Sequence, residues 1–224
     1  MFNTRVRATI DLALHGEDTG EDDAPDSPAD TLGFFAFDGA ASARRYSADA
    51  RIDVAAARAA LLTLGTALET QEGETTSRSM SDFGPFADSA VYERSAHAAY
   101  AQLLLTPGNR VTITAGSRID DGEYGTFMTW RAGASVRPGH WVIRAAAGTA
   151  FKEPTFYENF AQGFVVGKPE LDPERTTSFE IGIERMLLDG RIRLGVTGYT
   201  QRFEDLIQYT VAPTRPGESN YFNL

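Results

Sequence analysis

What this 224-residue sequence lacks excludes several chemistries. It has no cysteine, so disulfides, thiolate metal sites and cysteine nucleophiles are absent. It has no basic excess: its formal net charge is −10, whereas binding of nucleic-acid phosphates needs a basic stripe. No signal-peptide pattern opens the chain, and no stretch approaches the roughly 18 apolar residues of a transmembrane helix. The mean hydropathy of −0.28 fits a soluble protein or a transmembrane β-barrel, so periodicity has to separate them.

Apolar and polar residues alternate with a period of two, which is typical of strands and not of helices. On this basis one face of the predicted sheet points outward and the other inward. The outward set includes Ile10, Ile52, Ile113, Trp130, Ile181 and Leu194, and the inward set includes Arg7, Arg51, Arg131 and Glu180. Ala55–Leu62 has a helix-favouring composition, but we interpret it as two strand ends around a tight turn. About nine strands are predicted in total.

Short and long connections alternate along the chain. Compact turn signals occur at Thr106–Asn109, Arg137–His140 and Asp189–Gly190. Longer polar connections are predicted at His15–Asp30, Gln71–Ser89 and Glu153–Thr176. This alternation is typical of an up-and-down barrel in an outer membrane, with short periplasmic turns and longer extracellular loops. The short connections should therefore lie at one end of an antiparallel meander and the long ones at the other.

A soluble β-sandwich also shows alternation and stays open as an alternative. Ionised residues at strand centres, such as Asp49 and Arg131, suit a polar lumen, but a sandwich also tolerates them on its solvent face. The opposite face is almost uniformly apolar and rich in alanine, which suits lipid better than an interdigitated core. Trp141, beside the turn at Pro138–Gly139, lies where an aromatic girdle would meet the inner interface, and Trp130 lies further toward the outer one.

The second half of the chain resembles the TonB-dependent outer-membrane receptors. Gly116–Asp120 is similar to the family's G-x-R-x-D strand end, and Ala150–Glu158 (AFKEPTFYE) to its AFKAPTFYE stretch. Gly167–Arg175 (GKPELDPER) is similar to GNPNLKPER, with Lys168 and Asp172 among the departures. Further matches in the same order are Ser178–Glu184, Phe203–Tyr209 and Tyr221–Asn223. The wording of these motifs is nearest to the cobalamin-receptor branch.

The resemblance implies an all-β fold: an incomplete antiparallel up-and-down meander of about nine strands from a large transmembrane β-barrel of about 22 strands. Residues 1–224 are then a partial barrel, without the plug domain and the closing C-terminal strands. The implied function is active uptake of a scarce ligand, an iron-siderophore or cobalamin, across the bacterial outer membrane. The implied partners are outer-membrane lipid, that ligand, and the TonB complex through the plug. A passive pore or structural barrel stays open as a second alternative.

Two segments are candidates for binding. Glu17 to Asp30 contains seven carboxylates and no basic residue; within it, Asp18, Asp22 and Asp23 are candidate Ca²⁺ ligands, with a solvated acidic loop as the alternative. Four aromatic residues after Phe151 are candidates to line a ligand mouth, with self-packing of the loop as the alternative. They are Phe156, Tyr157, Phe160 and Phe164. No catalytic array is present, because the three histidines are scattered, so no enzymatic activity and no other cofactor are predicted.

Overall fold

The fold is an extended antiparallel sheet with a small folded cap at one end. The computed structural model describes residues 5–29, 33–161, 165–188, 191–213 and 218–224. Its strands are β1 (Arg5–Asp23), β2 (Phe34–Ala57), β3 (Ala60–Ser81), β4 (Gly84–Leu105), β5 (Val111–Gly122), β6 (Gly125–Val136), β7 (Trp141–Lys152), β8 (Glu174–Leu187), β9 (Ile192–Glu204), β10 (Ile207–Tyr209) and β11 (Tyr221–Asn223). One short helix, α1 (Phe156–Phe160), follows β7.

Strands β1 to β9 form one sheet in sequence order, and every neighbouring pair is antiparallel. The predicted meander of nine strands is therefore confirmed. The turns at 106–110 and 137–140 lie at the same end as the β2–β3 and β8–β9 connections, as predicted. The Asp189–Gly190 turn signal itself lies outside the described residues, but β8 and β9 are paired up to Leu187 and Ile192.

Two of the three connections predicted to be long loops are instead long strands. Residues 15–23 continue β1, and the segment Gln71–Ser89 is paired strand except for a tight turn at Asp82–Phe83. Both faces of these segments are polar, so their composition resembles that of a loop. Cross-strand hydrogen bonds satisfy the backbone regardless of that polarity. Strands of 22 to 24 residues span roughly 75 Å, well beyond a hydrocarbon core of about 30 Å.

The outward and inward faces match the prediction. All six apolar reporter residues are exposed, from 39% for Ile113 to 73% for Ile10, and none packs on a second layer. Cross-strand partners share a face, so the pairs Val54↔Leu62, Leu105↔Ile113 and Ile183↔Val196 place one apolar band over the sheet. Exposed apolar side chains in one continuous band, with no covering sheet, exclude the sandwich alternative for the described residues.

The inward face is concave. Residues of β2, β4 and β6 line one cavity of about 420 Å³ on this face, among them Asp49, Tyr100 and Arg131. Within the described residues β1 and β9 do not pair with each other, so the sheet is open with an unpaired edge on each side. Among the described residues, the polar inward face makes no apolar core apart from the cap at one end, and the buried aliphatic side chains are Ala98, Leu171 and Ile207.

The cap consists of α1, the segment 165–173 and the two-stranded sheet β10–β11. It lies at the long-connection end, because α1 follows the end of β7 there. Among the described residues, no helix has the length and apolar character needed to cross a membrane.

Candidate functional site

Helix α1 presents two of the predicted aromatic residues to the concave face of the sheet. Thr155 caps the helix: its side chain accepts a hydrogen bond from the Glu158 backbone, and the Glu158 carboxylate accepts one from the Thr155 backbone. The rings of Phe156 and Phe160 stack on Tyr92 of β4, with ring centroids 5.0 and 5.4 Å apart. A five-residue helix has little stability alone, so the capping box and this stacking fix it.

Arg94 holds the start of the same loop onto the sheet. Its guanidinium lies 4.8 Å from the Phe156 ring centroid and donates to the Gln71 side chain and the Pro154 carbonyl. It also lies 3.4 Å from the Glu153 carboxylate. One cation thus satisfies an amide, a carbonyl and a carboxylate while covering an aromatic face, which fixes where the chain leaves β7.

Tyr157 points away from the Phe156–Phe160 stack. It is 59% exposed and contacts Tyr221 of β11 edge-on, at 6.4 Å between ring centroids. Tyr221 in turn contacts Tyr209 of β10 at 5.3 Å, and Tyr209 is 48% exposed. In this group of three residues, the tyrosine cluster, Tyr157 and Tyr209 are exposed to solvent and Tyr221 lies half-buried between them. Exposed aromatic clusters of this kind are suited to binding a ligand with both apolar and hydrogen-bonding surface.

Asn159 joins α1 to the segment 165–173 of the cap and to the β5–β6 turn, and it is 1% exposed. Its amide NH₂ donates to the carbonyls of Lys168 and Pro169, and its carbonyl oxygen accepts from the Tyr124 hydroxyl in the β5–β6 turn. Burying an amide side chain without hydrogen-bond partners would reduce the stability of the fold. Here each polar atom of the amide has a partner. Gly167 packs closely against α1, since a Cβ there would lie 2.5 Å from the backbone carbonyl group of Asn159.

Two further asparagines lock the C-terminal strands to the cap. Asn220, 4% exposed, accepts from the Val166 backbone and donates to the Thr210 carbonyl. Asn223 accepts from the Asp172 backbone and donates to the carbonyls of Asp172 and Asp205. Tyr209 and Tyr221 of the tyrosine cluster are therefore carried by strands whose position is fixed by side-chain-to-backbone hydrogen bonds.

Glu153, at the start of the loop after β7, is a half-buried carboxyl close to Arg94. Burial raises the pKa of this carboxyl above its ordinary value; Arg94 lowers it, and the carboxylates of Glu123, Glu69 and Asp120 raise it again. Burial has the largest effect on this pKa, because the charged form of the carboxyl loses hydration when it is buried. The loop start thus contains a carboxyl that resists ionisation next to a single arginine.

The predicted calcium ligands lie on a strand and not in a loop. Asp18 is held by Arg44 through two hydrogen bonds of 2.9 and 3.0 Å, and this partner lowers the pKa of Asp18. Asp22 and Asp23 are successive strand residues, so they face opposite sides of the sheet. The described residues contain no group of three carboxylate or histidine side chains placed to hold a metal ion. Calcium binding here stays a prediction.

A ladder of polar contacts runs down the concave face below the cap. The Tyr100 hydroxyl donates to Asp49 across Gly65, where a Cβ would collide with the Tyr100 ring. Arg51 pairs with Asp11 on the neighbouring strand at 3.1 Å. Further down, Arg144 pairs with Glu184. Charge on the lumen side is therefore balanced between strands.

The structure brings three of the four predicted aromatic residues into one cap and separates their roles. Phe156 and Phe160 pack inward, Tyr157 faces solvent, and Phe164 lies outside the described residues. Sequence reasoning missed several of the residues that organise the site: Tyr92, Arg94, Tyr124, Asn159, Tyr209, Asn220, Tyr221 and Asn223. Tyr92 and Arg94 carried a signal, since they occupy inward positions of a strand otherwise rich in alanine, and Tyr209, Tyr221 and Asn223 lie within the family motifs quoted above.

Comparison with known proteins supports the resemblance. Residues 4–224 match the family model described as TonB dependent receptor-like, beta-barrel. The chain is 35% identical over 127 residues to the vitamin B12 transporter BtuB of Vibrio vulnificus and 34% identical over 96 residues to that of Photobacterium profundum. Those matches cover 56% and 41% of this chain but 20% and 15% of the relatives.

Solved structures share the fold at low sequence identity. The copper transporter OprC superposes with a TM-score of 0.71 at 13% identity, covering 97% of this chain and 39% of that one. The ferripyoverdine receptor of the outer membrane of Pseudomonas aeruginosa superposes with a TM-score of 0.62 at 16% identity, covering 96% and 34%. The match of the family model over nearly the whole sequence also places the chain in the outer membrane. The chain belongs to the TonB-dependent receptor β-barrel family.

Proposed function

We propose that this chain forms part of the barrel wall of a TonB-dependent transporter that takes up cobalamin or an iron-siderophore across the outer membrane. The observation that carries the proposal is the 35% identity to a vitamin B12 transporter over 127 residues. The concave polar face would line the passage, and the apolar band would contact lipid. Energy would come from the TonB complex through a plug domain.

The cap supports a ligand-binding role at the outer mouth. Phe156 and Phe160 hold the loop on Tyr92, and Tyr157 with Tyr209 and Tyr221 would contact the ligand. Cobalamin and siderophores both present apolar faces with many hydrogen-bonding groups, which matches the exposed rings and hydroxyls of the tyrosine cluster. We assign no catalytic step to any of these residues.

The test is uptake by the complete reading frame that encodes this chain. It is expressed in a Gram-negative host lacking its own cobalamin receptor, and uptake of labelled cobalamin and of labelled ferric siderophores is measured with and without functional TonB. We expect TonB-dependent uptake of one ligand class. Uptake that persists without TonB would indicate a passive pore, and the absence of uptake of either class would reject the proposal.

Replacement of Tyr157 tests the assigned contact. Tyr157→Ala should weaken ligand binding by roughly 5- to 10-fold, as expected for loss of one aromatic contact of about 1 kcal/mol. Tyr46→Ala is the matched control, because Tyr46 is a similarly exposed tyrosine of β2 on the outward face. Equal effects of the two substitutions would argue against a ligand contact at Tyr157.

A further inference from the structure

Two exposed aromatic side chains stand on the inward face of β9, below the cap. Tyr199 is 75% exposed and Phe203, four residues later on the same face, is 49% exposed. Their facing follows from register, because Tyr199 pairs with the inward residue Glu180 of β8, whereas Leu194 of the same strand points outward. Side chains stand roughly perpendicular to a sheet. A further strand paired with β9 would therefore satisfy its backbone without removing either ring from the lumen.

The stretch of chain that carries these rings also carries one residue of the tyrosine cluster. Strand β10 follows β9 after two residues and contains Tyr209. The junction between the two strands is fixed by side chains, because the Ile207 N–H donates to the Glu174 carboxylate and the Asn223 amide donates to the Asp205 carbonyl. Aromatic rings therefore continue from the cap down the inner wall along one segment of the chain.

The inner wall beside β9 is recessed. One cross-strand row of inward residues, running from β6 to β9, has small members in the middle and long ones at its ends: Arg131, Gly148, Ser178 and Gln201. Adjacent strands lie about 4.8 Å apart, so roughly 14 Å separates β6 from β9. The residues of this row and Tyr199 line a cavity of about 630 Å³, which we call the inner-wall groove. Its volume lies within the roughly 300–1,000 Å³ of small-molecule sites.

The inner-wall groove combines an aromatic side with hydrogen-bonding groups. Tyr199 supplies a ring and a hydroxyl on the β9 side, next to the Gln201 amide and the Glu180 carboxylate. On the β6 side, the Arg131 guanidinium donates to Gln102 and has further N–H groups to offer. Such a groove suits a ligand that has an apolar face and a polar periphery. The tyrosine cluster of the cap suits the same class of ligand.

We propose that Tyr199 and Phe203 with the inner-wall groove form a second contact site for the transported ligand, below the cap. The inference rests on the proposed function, because it concerns the same ligand with an apolar face and a hydrogen-bonding periphery. The apolar face of the ligand would stack on the two rings, and its polar groups would bond to Gln201 and Arg131. The ligand would reach this site after it leaves the tyrosine cluster. The site therefore acts on transfer through the barrel and not on first capture.

The test separates capture from transfer in the complete protein, with labelled cobalamin and a labelled ferric siderophore as probes. Binding is measured on cells without TonB, and the rate of uptake is measured on cells with TonB. Tyr199→Ala should slow TonB-dependent uptake by roughly 2- to 10-fold, the factor expected for loss of one aromatic contact, and should leave the Kd on cells without TonB unchanged. Tyr157→Ala should instead weaken the Kd. Tyr199→Phe should retain most of the uptake rate because it keeps the ring.

The matched control is Tyr46→Ala, which removes an exposed tyrosine from the outward face. Heat-modifiability on gels checks that each variant is folded; if Tyr199→Ala is not, Phe203→Ala should give a loss of uptake in the same direction. An unchanged uptake rate in Tyr199→Ala, or the same loss in the control, would overturn this inference alone. Entry of a large antibiotic such as vancomycin into Tyr199→Ala cells would show that the ring packs on the plug and would also overturn it. Absence of uptake by the wild type would reject the proposed function and this inference with it.

Discussion

At the scale of single residues, the cap is held by side chains that each satisfy several backbone groups. Asn159 bonds two carbonyls and a tyrosine hydroxyl at 1% exposure, and Arg94 joins Pro154, Gln71 and Glu153. Loss of such a residue leaves several buried polar groups without partners, which costs more than the bonds themselves contribute. The cap is therefore sensitive to single substitutions in a way that the exposed strands are not.

Asn159→Ala should loosen the cap. The Tyr124 hydroxyl and the carbonyls of Lys168 and Pro169 lose their partner, which costs about 1–3 kcal/mol for each group that stays buried. We expect faster cleavage of the segment 153–173 by a protease added to outer membranes, with the barrel intact. Asn109→Ala, in an exposed turn at the other end, is the control and should leave the cleavage rate unchanged. Equal cleavage of both variants would contradict the assigned role.

The raised pKa of Glu153 gives the cap a pH dependence with a defined sign. Because the folded-state pKa lies above the ordinary value of 4.5, the stabilisation is fully present below that value and is lost as pH rises through the folded-state pKa. We expect the segment 153–173 to be better protected from cleavage at mildly acidic pH than at neutral pH. Glu153→Gln should remove this dependence, and Arg94→Gln should move it to higher pH because Arg94 lowers the pKa. A wild-type profile that is flat over this range would count against it.

At the scale of elements, close packing of α1 on the segment 165–173 decides where the tyrosine cluster lies. Gly167 makes this approach possible, since a Cβ there would lie 2.5 Å from Asn159 backbone atoms and 2.7 Å from the Ala161 nitrogen. These are backbone atoms, so the collision is relieved only by moving the helix or the segment. Ligand contacts carried by Tyr157 and Tyr221 would move with them.

Gly167→Ala should therefore destabilise the cap by roughly 1–3 kcal/mol, the usual cost of overpacking. The expected result is weaker ligand binding and faster cleavage of the cap, without loss of heat-modifiability. Gly198→Ala is the control, because a Cβ at Gly198 meets nothing within 4 Å. If Gly167→Ala binds ligand as the wild type does, the packing has no role in placing the cluster.

At the scale of the whole molecule, the nine strands form a curved wall with two unpaired edges. A barrel removes its edges by closure, and a transporter of this type uses about 22 strands. In the described residues the edge strands β1 and β9 each have one neighbour only. Each therefore leaves a row of backbone donors and acceptors without partners inside a membrane.

Residues 1–224 expressed alone should consequently fail to give a closed barrel. Closing nine strands would force together the inward charges of Arg51, Arg131 and Glu184, besides requiring a different shear. We expect no heat-modifiable band and no ligand uptake in an outer-membrane background. The complete reading frame under the same promoter is the positive control. A compact, heat-modifiable and active species from residues 1–224 would make this a small barrel in its own right.

The alternation of residues along the chain is enough to predict the meander and its two faces. Alternation with a period of two is a local property, and a one-residue shift would have exchanged Ile52 with Arg51 and exposed charge to lipid. Composition gave a wrong prediction of a loop where both faces of a strand are polar, as in Gln71–Ser81. The polarity of a residue does not show whether its backbone bonds to a neighbouring strand. The family motifs predicted the loop after β7 but not what it packs against.

The candidate site depends on contacts that form only in the folded chain. Tyr92 stacks on Phe156, which is 64 positions later in the sequence. Asn159 is hydrogen-bonded to Tyr124, and Asn220 to Val166. No local sequence pattern predicts any of these contacts. The same holds for Arg110 and Arg137, whose backbones become neighbours through the pairing of β5 with β6. Strand period is a property of adjacent residues. The cap and the ion pairs between strands arise from contacts between residues far apart in the sequence, and these contacts depend on register and on how the chain folds back.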